Sequence, residues 1–255
     1  PNTPGPHPVM VWVHGGGNVS GSSNEVQYDG ALLAKSQDVV VVSLNYRLHV
    51  TGFFALPSIN DAAPINGNQG VKDQIAALQW VHSEIEKFGG DVNNVTVFGE
   101  SAGAIDTCAL LATPKPQTPV RLLHKAIMES GACDTMEVVD LATAQQRGLQ
   151  IIDRLGCSDA QDPLACARNV PLSKIKEVFK SDGFFIPYAE AGDSTSFSAA
   201  LVIDGDVLPE HPLELLANTD LSETPLLIGT NKDEGSMLVG FFDHPDDEAG
   251  YIGLL

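Results

Sequence analysis

Along the first 130 positions, apolar residues come in short runs separated by glycine-rich or polar turns, and the runs alternate between two periods. Val9 to Val13 is a brief apolar segment that ends at His14-Gly15-Gly16-Gly17. Tyr28 to Lys35 reads as a helix, and Asp38 to Leu44, which holds four consecutive valines, as a fully buried strand. The clearest helix is predicted over Asn68 to Phe88, where Val71, Ile75, Leu78, Val81, Ile85 and Phe88 recur at three- and four-residue spacing. Asn68 is placed to cap its start and Gly89-Gly90 to end it. A strand from Val95 to Phe98, a tight glycine turn, a helix from Ala102 to Leu111 and a strand beginning at Lys125 to Met128 follow. This alternation predicts an α/β fold, a mostly parallel sheet covered by helices on both faces.

Beyond Cys133 the pattern changes. Leu141 to Leu155 and Leu172 to Phe179 are amphipathic, and strand signals are few. Residues 132–198 therefore read as a cap-like helical excursion from a sheet core over residues 1–131. The sheet signal returns at Pro225 to Gly229, within a last stretch over residues 199–255, and Met237, Leu238, Phe241 and Phe242 suggest a helix over residues 234–243.

With 255 residues, 43% of them apolar, the chain can bury a substantial core, which excludes disordered and coiled-coil classes. No apolar run approaches the ~20 residues of a membrane span. The first residues, Pro1 to Pro6, carry neither an initiator Met nor a charged-then-apolar leader, so any signal peptide is expected to be removed or never included. The net charge of −19 argues against nucleic-acid backbones and anionic membranes as partners. Of 33 acidic residues, 22 lie after residue 130; a solvated acidic surface accounts for them more simply than a field for cationic ligands.

The four cysteines, at 108, 133, 157 and 166, lack zinc-site spacing. Cys157 and Cys166 flank a short polar segment that suits a local disulfide worth at most ~3 kcal/mol; two unpaired thiols are the alternative. A bridge favours an oxidising compartment, extracellular or periplasmic, over the cytoplasm. Cys108, on the helix after the glycine turn, reads as a buried thiol. Trp12 reads as core, and His82 and His124 as surface or packing residues.

Gly99-Glu100-Ser101-Ala102-Gly103 fits the G-x-S-x-G turn that lifts a serine oxygen clear of a sheet between a strand and a helix. About 0.15 chance matches are expected for a chain of this composition, so the flanking strand and helix carry much of its weight. His14-Gly15-Gly16-Gly17 is rarer, at about 0.006 chance matches, and its free backbone N–H groups suit a negative oxygen. Glu234, soon after the late strand, is placed either to orient an imidazole or to stand as a solvated loop carboxylate.

These residues resemble the type-B carboxylesterase/lipase, or cholinesterase-like, family of α/β-hydrolases. The likeness includes His14 to Gly17, Asn45-Tyr46-Arg47-Leu48, Gly67-Asn68-Gln69-Gly70, Asp73-Gln74 and Ala77-Leu78. It continues through Trp80-Val81, Phe88-Gly89-Gly90-Asp91, Gly99 to Gly103, Asp204-Gly205-Asp206 and Asp233-Glu234-Gly235. It implies an α/β-hydrolase fold and a serine hydrolase that cleaves carboxylic esters with water through an acyl-enzyme. Ser101 would be the nucleophile, Glu234 the triad acid, and the N–H groups of Gly16, Gly17 and Ala102 the oxyanion hole. Glu100 would assist electrostatically or support the turn by hydrogen bonding. The resemblance also supports the Cys157–Cys166 bridge, and it implies no metal and no organic cofactor.

Three departures stand out. His49 replaces a small residue and is given no role. Asn18 replaces an apolar or aromatic one, which implies an unusually polar acyl pocket. The catalytic His is expected beyond Leu255, because His244, ten residues after Glu234 on a helical reading, would lie ~15 Å from it. A non-catalytic interaction module, an amidase and a long-chain lipase of the same fold stay open as alternatives.

Overall fold

The computed structural model describes residues 3–59, 63–114, 121–134, 137–179 and 199–238. Five strands form one parallel sheet: β1 (His7–Val13), β2 (Val40–Leu44), β3 (Gly90–Glu100), β4 (Lys125–Glu129) and β5 (Leu226–Gly229), in the spatial order β2-β1-β3-β4-β5. The long alternating helices are α1 (Ala31–Gln37), α2 (Gln69–Glu84), α3 (Ala102–Ala112) and α4 (Leu141–Arg154). The main core joins Val11 and Val13 of β1 and Val97 of β3 to Val71, Leu78 and Val81 of α2 and to Ile105 and Ala109 of α3. All eleven residues of α3 are buried, so this helix is enclosed by the fold rather than laid on its surface.

Within the described residues the predicted strands and helices are present, with instructive shifts; of the helix expected over residues 234–243, Gly235–Leu238 is seen and residues 239–243 lie outside the described residues. The first helix begins at Ala31 rather than Tyr28, because Asp29 accepts a hydrogen bond from the Ala31 N–H at 2.9 Å and fixes the start there. Among the described residues β2 is an edge strand, so only Val40 and Leu44 are buried and Ser43 is exposed, against the expectation of a fully buried strand. Asn68 does not cap α2 with its side chain. It adopts a left-handed backbone, and its amide instead bonds the N–H and carbonyl of Val202, 134 residues away. The helical excursion contains α4, and a short strand, Val138–Asp140, precedes it and pairs in parallel with Leu201–Ile203. β5 is the other edge among the described residues, and Leu226, Leu227 and Ile228 are exposed there.

Two cross-links are present. Cys157 is bonded to Cys166, as the spacing suggested. Cys108 is not a buried thiol but is bonded to Cys133, which joins the middle of α3 to the loop after β4 within a buried cluster with Ala104, Leu111 and Met128. Their Cα atoms lie 5.5 Å apart because β3, α3 and β4 pack consecutively, a proximity that 25 residues of sequence separation conceal. Trp12 is buried, as expected for the core, and His124 is a packing residue whose ring accepts the Val95 N–H.

Candidate active site

The site is assembled where four parallel strands end together. Val13 pairs with Gly99, and Glu100, Glu129 and Gly229 share one rung of the sheet. The chain leaves these ends as the glycine loop, as Ser101, as Ser130 and as the segment leading to Glu234.

Ser101 sits at φ 55° and ψ −125°, a conformation that L residues rarely adopt, between the last residue of β3 and the first of α3. Its N–H donates to the Glu129 carbonyl at 2.9 Å, and its carbonyl accepts from Ala104 and Ile105, so the turn is tied to both β4 and α3. The flanking glycine is obligatory on steric grounds: a Cβ on Gly103 would lie 2.1 Å from the Val13 carbonyl oxygen. β1 and α3 can meet only without a side chain there.

The glycine loop lies directly over the serine. A Cβ on Gly15 would stand 2.7 Å from the Glu100 carbonyl and 3.1 Å from Ser101 Cβ. The turn closes through the N–H groups of Val19 and Ser20, both donating to the Gly16 carbonyl, with Gly16 at φ 111° and Gly17 at φ 62°. His14 anchors the loop and is no free base. Its buried ring stacks on Tyr46 at 4.6 Å, and burial depresses its pKa. The Tyr46 hydroxyl donates within reach of two acceptors, the His14 carbonyl at 2.9 Å and Asn18 Oδ1 at 3.0 Å.

Asn18 is fully buried and does not make a pocket wall polar, contrary to expectation. Its amide group is consumed between Tyr46 and Asp106. His49, also at positive φ, donates its backbone N–H to the Asn18 carbonyl at 2.7 Å and sets its ring edge against Phe179.

Glu100 is half-buried beside the serine, and burial raises its pKa, with the nearby Glu129 and Glu234 charges adding to the effect. Glu234 is exposed and accepts the Asn231 N–H at 2.6 Å. The nearby Ser130 hydroxyl, with the Asn231 groups, holds its carboxyl below the usual range. Ser130, at φ 51°, belongs to no motif of the sequence. The available signal was a small polar residue at the C-terminal end of a parallel strand, where such sheets gather their sites.

Other described histidines are engaged elsewhere. His7 bonds Thr3 and Asp38, and His211 caps Pro212–Ala217 by accepting the Leu213 N–H. His244 lies outside the described residues. Among the described residues, no imidazole hydrogen-bonds Ser101 or Glu234, and no group of acids, cysteines and histidines is arranged to hold a metal. No described helix is long and apolar enough to cross a membrane.

A profile described as the carboxylesterase family matches residues 1–250. The chain is 41% identical to para-nitrobenzyl esterase of Bacillus subtilis (strain 168), over 97% of this chain and 47% of that one. It is 38% identical to acetylcholinesterase of Electrophorus electricus, over 92% of this chain and 36% of that one. It is 37% identical to pyrethroid hydrolase Ces2e of Rattus norvegicus, over 94% of this chain and 38% of that one. The chain thus spans at most about half the length of these relatives.

Proposed function

Since the chain belongs to the carboxylesterase family, we propose that it supplies the nucleophile, oxyanion loop and triad acid of a serine hydrolase acting on carboxylic esters. The observation that carries this reading is the convergence at one sheet edge. The positive-φ Ser101, the glycine loop pressed against its Cβ, and Glu234 stand at neighbouring strand ends.

In this reaction Ser101 Oγ attacks the ester carbonyl and gives its proton to an imidazole from outside the described residues. Glu234 holds that imidazole in the tautomer that can accept the proton. The carbonyl oxygen, now negative, takes hydrogen bonds from the N–H groups of Gly16, Gly17 and Ala102. Each such donor is typically worth ~3 kcal/mol in the transition state. The imidazolium returns the proton to the leaving alcohol, and water hydrolyses the acyl-enzyme by the same sequence. Glu100, half-buried and flanked by the Glu129 and Glu234 carboxylates, adds negative potential that favours the imidazolium. This chemistry draws on side chains and backbone alone, and the substrates are small esters. Two disulfides support an oxidising compartment, outside the cell or in the periplasm.

Fluorophosphonate labelling of the whole protein tests the reading. Rapid, stoichiometric modification of Ser101 that is lost in Ser101→Ala is the expected result. Absence of labelling together with absence of turnover on p-nitrophenyl esters would favour a non-catalytic interaction module. A chain-length series of those esters, with the matching anilides, separates a short-chain esterase from a long-chain lipase or an amidase.

A further inference from the structure

Among the eleven residues of the enclosed helix α3, one carries a charge. Asp106 is completely buried, five residues after Ser101, and among the described residues no arginine or lysine bonds it. Its two oxygens are taken by side-chain amides from two other parts of the fold. Oδ1 accepts from Asn18 Nδ2 at 3.0 Å, and Oδ2 from Gln74 Nε2 of α2. A buried carboxylate is costly to keep in a helix that is otherwise uncharged and fully buried. Here its position joins the loop above Ser101 to the helix below it.

Asn18 is the residue that makes the joint. It directly follows Gly16-Gly17, shares their left-handed backbone at φ 58°, and is fully buried. Its Nδ2 reaches Asp106, its Oδ1 receives the Tyr46 hydroxyl, and its carbonyl receives the His49 N–H. A glycine turn has little stiffness of its own. The first bond ties the end of this turn to α3, whose first N–H, that of Ala102, is the remaining oxyanion donor, and the other two brace it against the Tyr46–His49 segment.

We propose that Asp106 is a positioning residue of the oxyanion hole: through the Asn18 amide it fastens the Gly16–Gly17 turn to the helix that begins at Ser101. The inference rests on the serine-hydrolase reading. It deepens that reading by assigning the alignment of the two halves of the hole to a buried side-chain link. Asp106 touches no substrate, and its effect passes through Asn18.

The link makes specific demands on substitution. Asp106→Leu preserves the approximate shape but gives Asn18 nothing to hold. Asn18→Gly keeps the left-handed backbone and deletes only the amide. Asp106→Asn retains an acceptor for Asn18, and its new NH2 can donate to Gln74 Oε1, which is buried without a partner among the described residues.

In the whole protein, Asp106→Leu and Asn18→Gly should each lower kcat about ten- to a hundredfold with KM within about twofold. Affinity for a trifluoromethyl ketone, which forms a tetrahedral oxyanion on the serine, should fall in parallel. Asp106→Asn should stay within about threefold of the unaltered protein. The double variant should be no worse than the poorer single, because both break the same link. Melting curves verify folding, and Asn18→Gly serves as the decisive variant if Asp106→Leu does not fold. Unchanged kcat in Asn18→Gly, or losses that multiply in the double variant, would overturn the proposal. Failure of the unaltered protein to react with fluorophosphonate would instead remove the hydrolase reading itself.

Discussion

Asn231 ties Ser130 to Glu234, joining the end of β4 to the loop after β5. Its N–H donates to Glu234 and its side-chain amide to Ser130 Oγ at 3.3 Å, and the nearby Ser130 hydroxyl helps hold the Glu234 carboxyl below the usual range. An exposed carboxylate has many rotamers, and these bonds select one. Removing the hydroxyl should therefore blur the orientation of the acid without dismantling the fold. Ser130→Gly suits the test because Ser130 sits at φ 51°, which glycine adopts freely. We expect kcat to fall about three- to tenfold with KM unchanged. Glu234 should also titrate closer to an ordinary glutamate, so that in carboxylate-resolved NMR its protonation moves to higher pH.

Ser101 stores backbone strain as well as chemistry. At φ 55° and ψ −125°, a side chain costs about 1–3 kcal/mol relative to a relaxed conformation. Ser101→Ala and Ser101→Gly should both abolish ester turnover. Ser101→Gly alone should melt higher than the unaltered protein, since only glycine relieves the strain. Calorimetry that finds the two variants equally stable would place the strain elsewhere.

Asp106 gives the fold a pH dependence of unusual sign. Burial pushes its pKa up to about 6, against the opposing pull of the Asn18 and Gln74 amides. The groups facing it are those two neutral amides, with the Tyr46 phenol beyond Asn18, itself raised by burial and by Asp106. Between pH 4 and 6 the folded protein thus binds a proton that the unfolded chain has released. The contribution of this group is fully present below about pH 4 and is lost as pH rises to about 6. The shift corresponds to about 3 kcal/mol. Asp106→Asn, neutral throughout, should gain on the unaltered protein over that window by up to this amount in denaturant titrations.

The two disulfides should differ in how readily they open. Cys108 and Cys133 are both buried, whereas Cys166 is partly exposed. Mild reductant should free Cys157 and Cys166 first, and mass spectrometry of alkylated peptides should show the Cys108–Cys133 pair persisting until the fold opens. Free thiols at all four positions in protein from an oxidising compartment would contradict both bridges.

What the sequence revealed was local. Gly99 to Gly103 and His14 to Gly17 are contiguous, and their strand-to-turn context is written in the neighbouring apolar runs. β1, β3 and α3 were therefore legible together with the glycine loop and Ser101. Other features depend on contacts between distant segments. Asn68 had the composition of a cap, yet its amide is held by Val202 from another part of the chain. Cys108 could not be paired without knowing that α3 lies against the loop after β4. Ser130 and Asp106 carry no pattern of their own, because one depends on sheet register and the other on a partner 88 residues away.

That register has a consequence for how the chain tolerates length changes. Glu100, Glu129 and Gly229 occupy one rung, so the sheet behaves as a ruler on which the serine, its neighbour Ser130 and the approach to Glu234 are marked off. One residue lost inside β4 would draw Ser130 back by about 3.3 Å and turn its side chain to the opposite face. The hydroxyl would then miss the Asn231 amide that ties it to Glu234, although every residue around the serine remained in place. The same loss from Arg121–Leu123, ahead of the strand, could be absorbed before the rung is reached. Insertions and deletions should therefore divide sharply at the strand boundaries, silent on one side and disarming on the other.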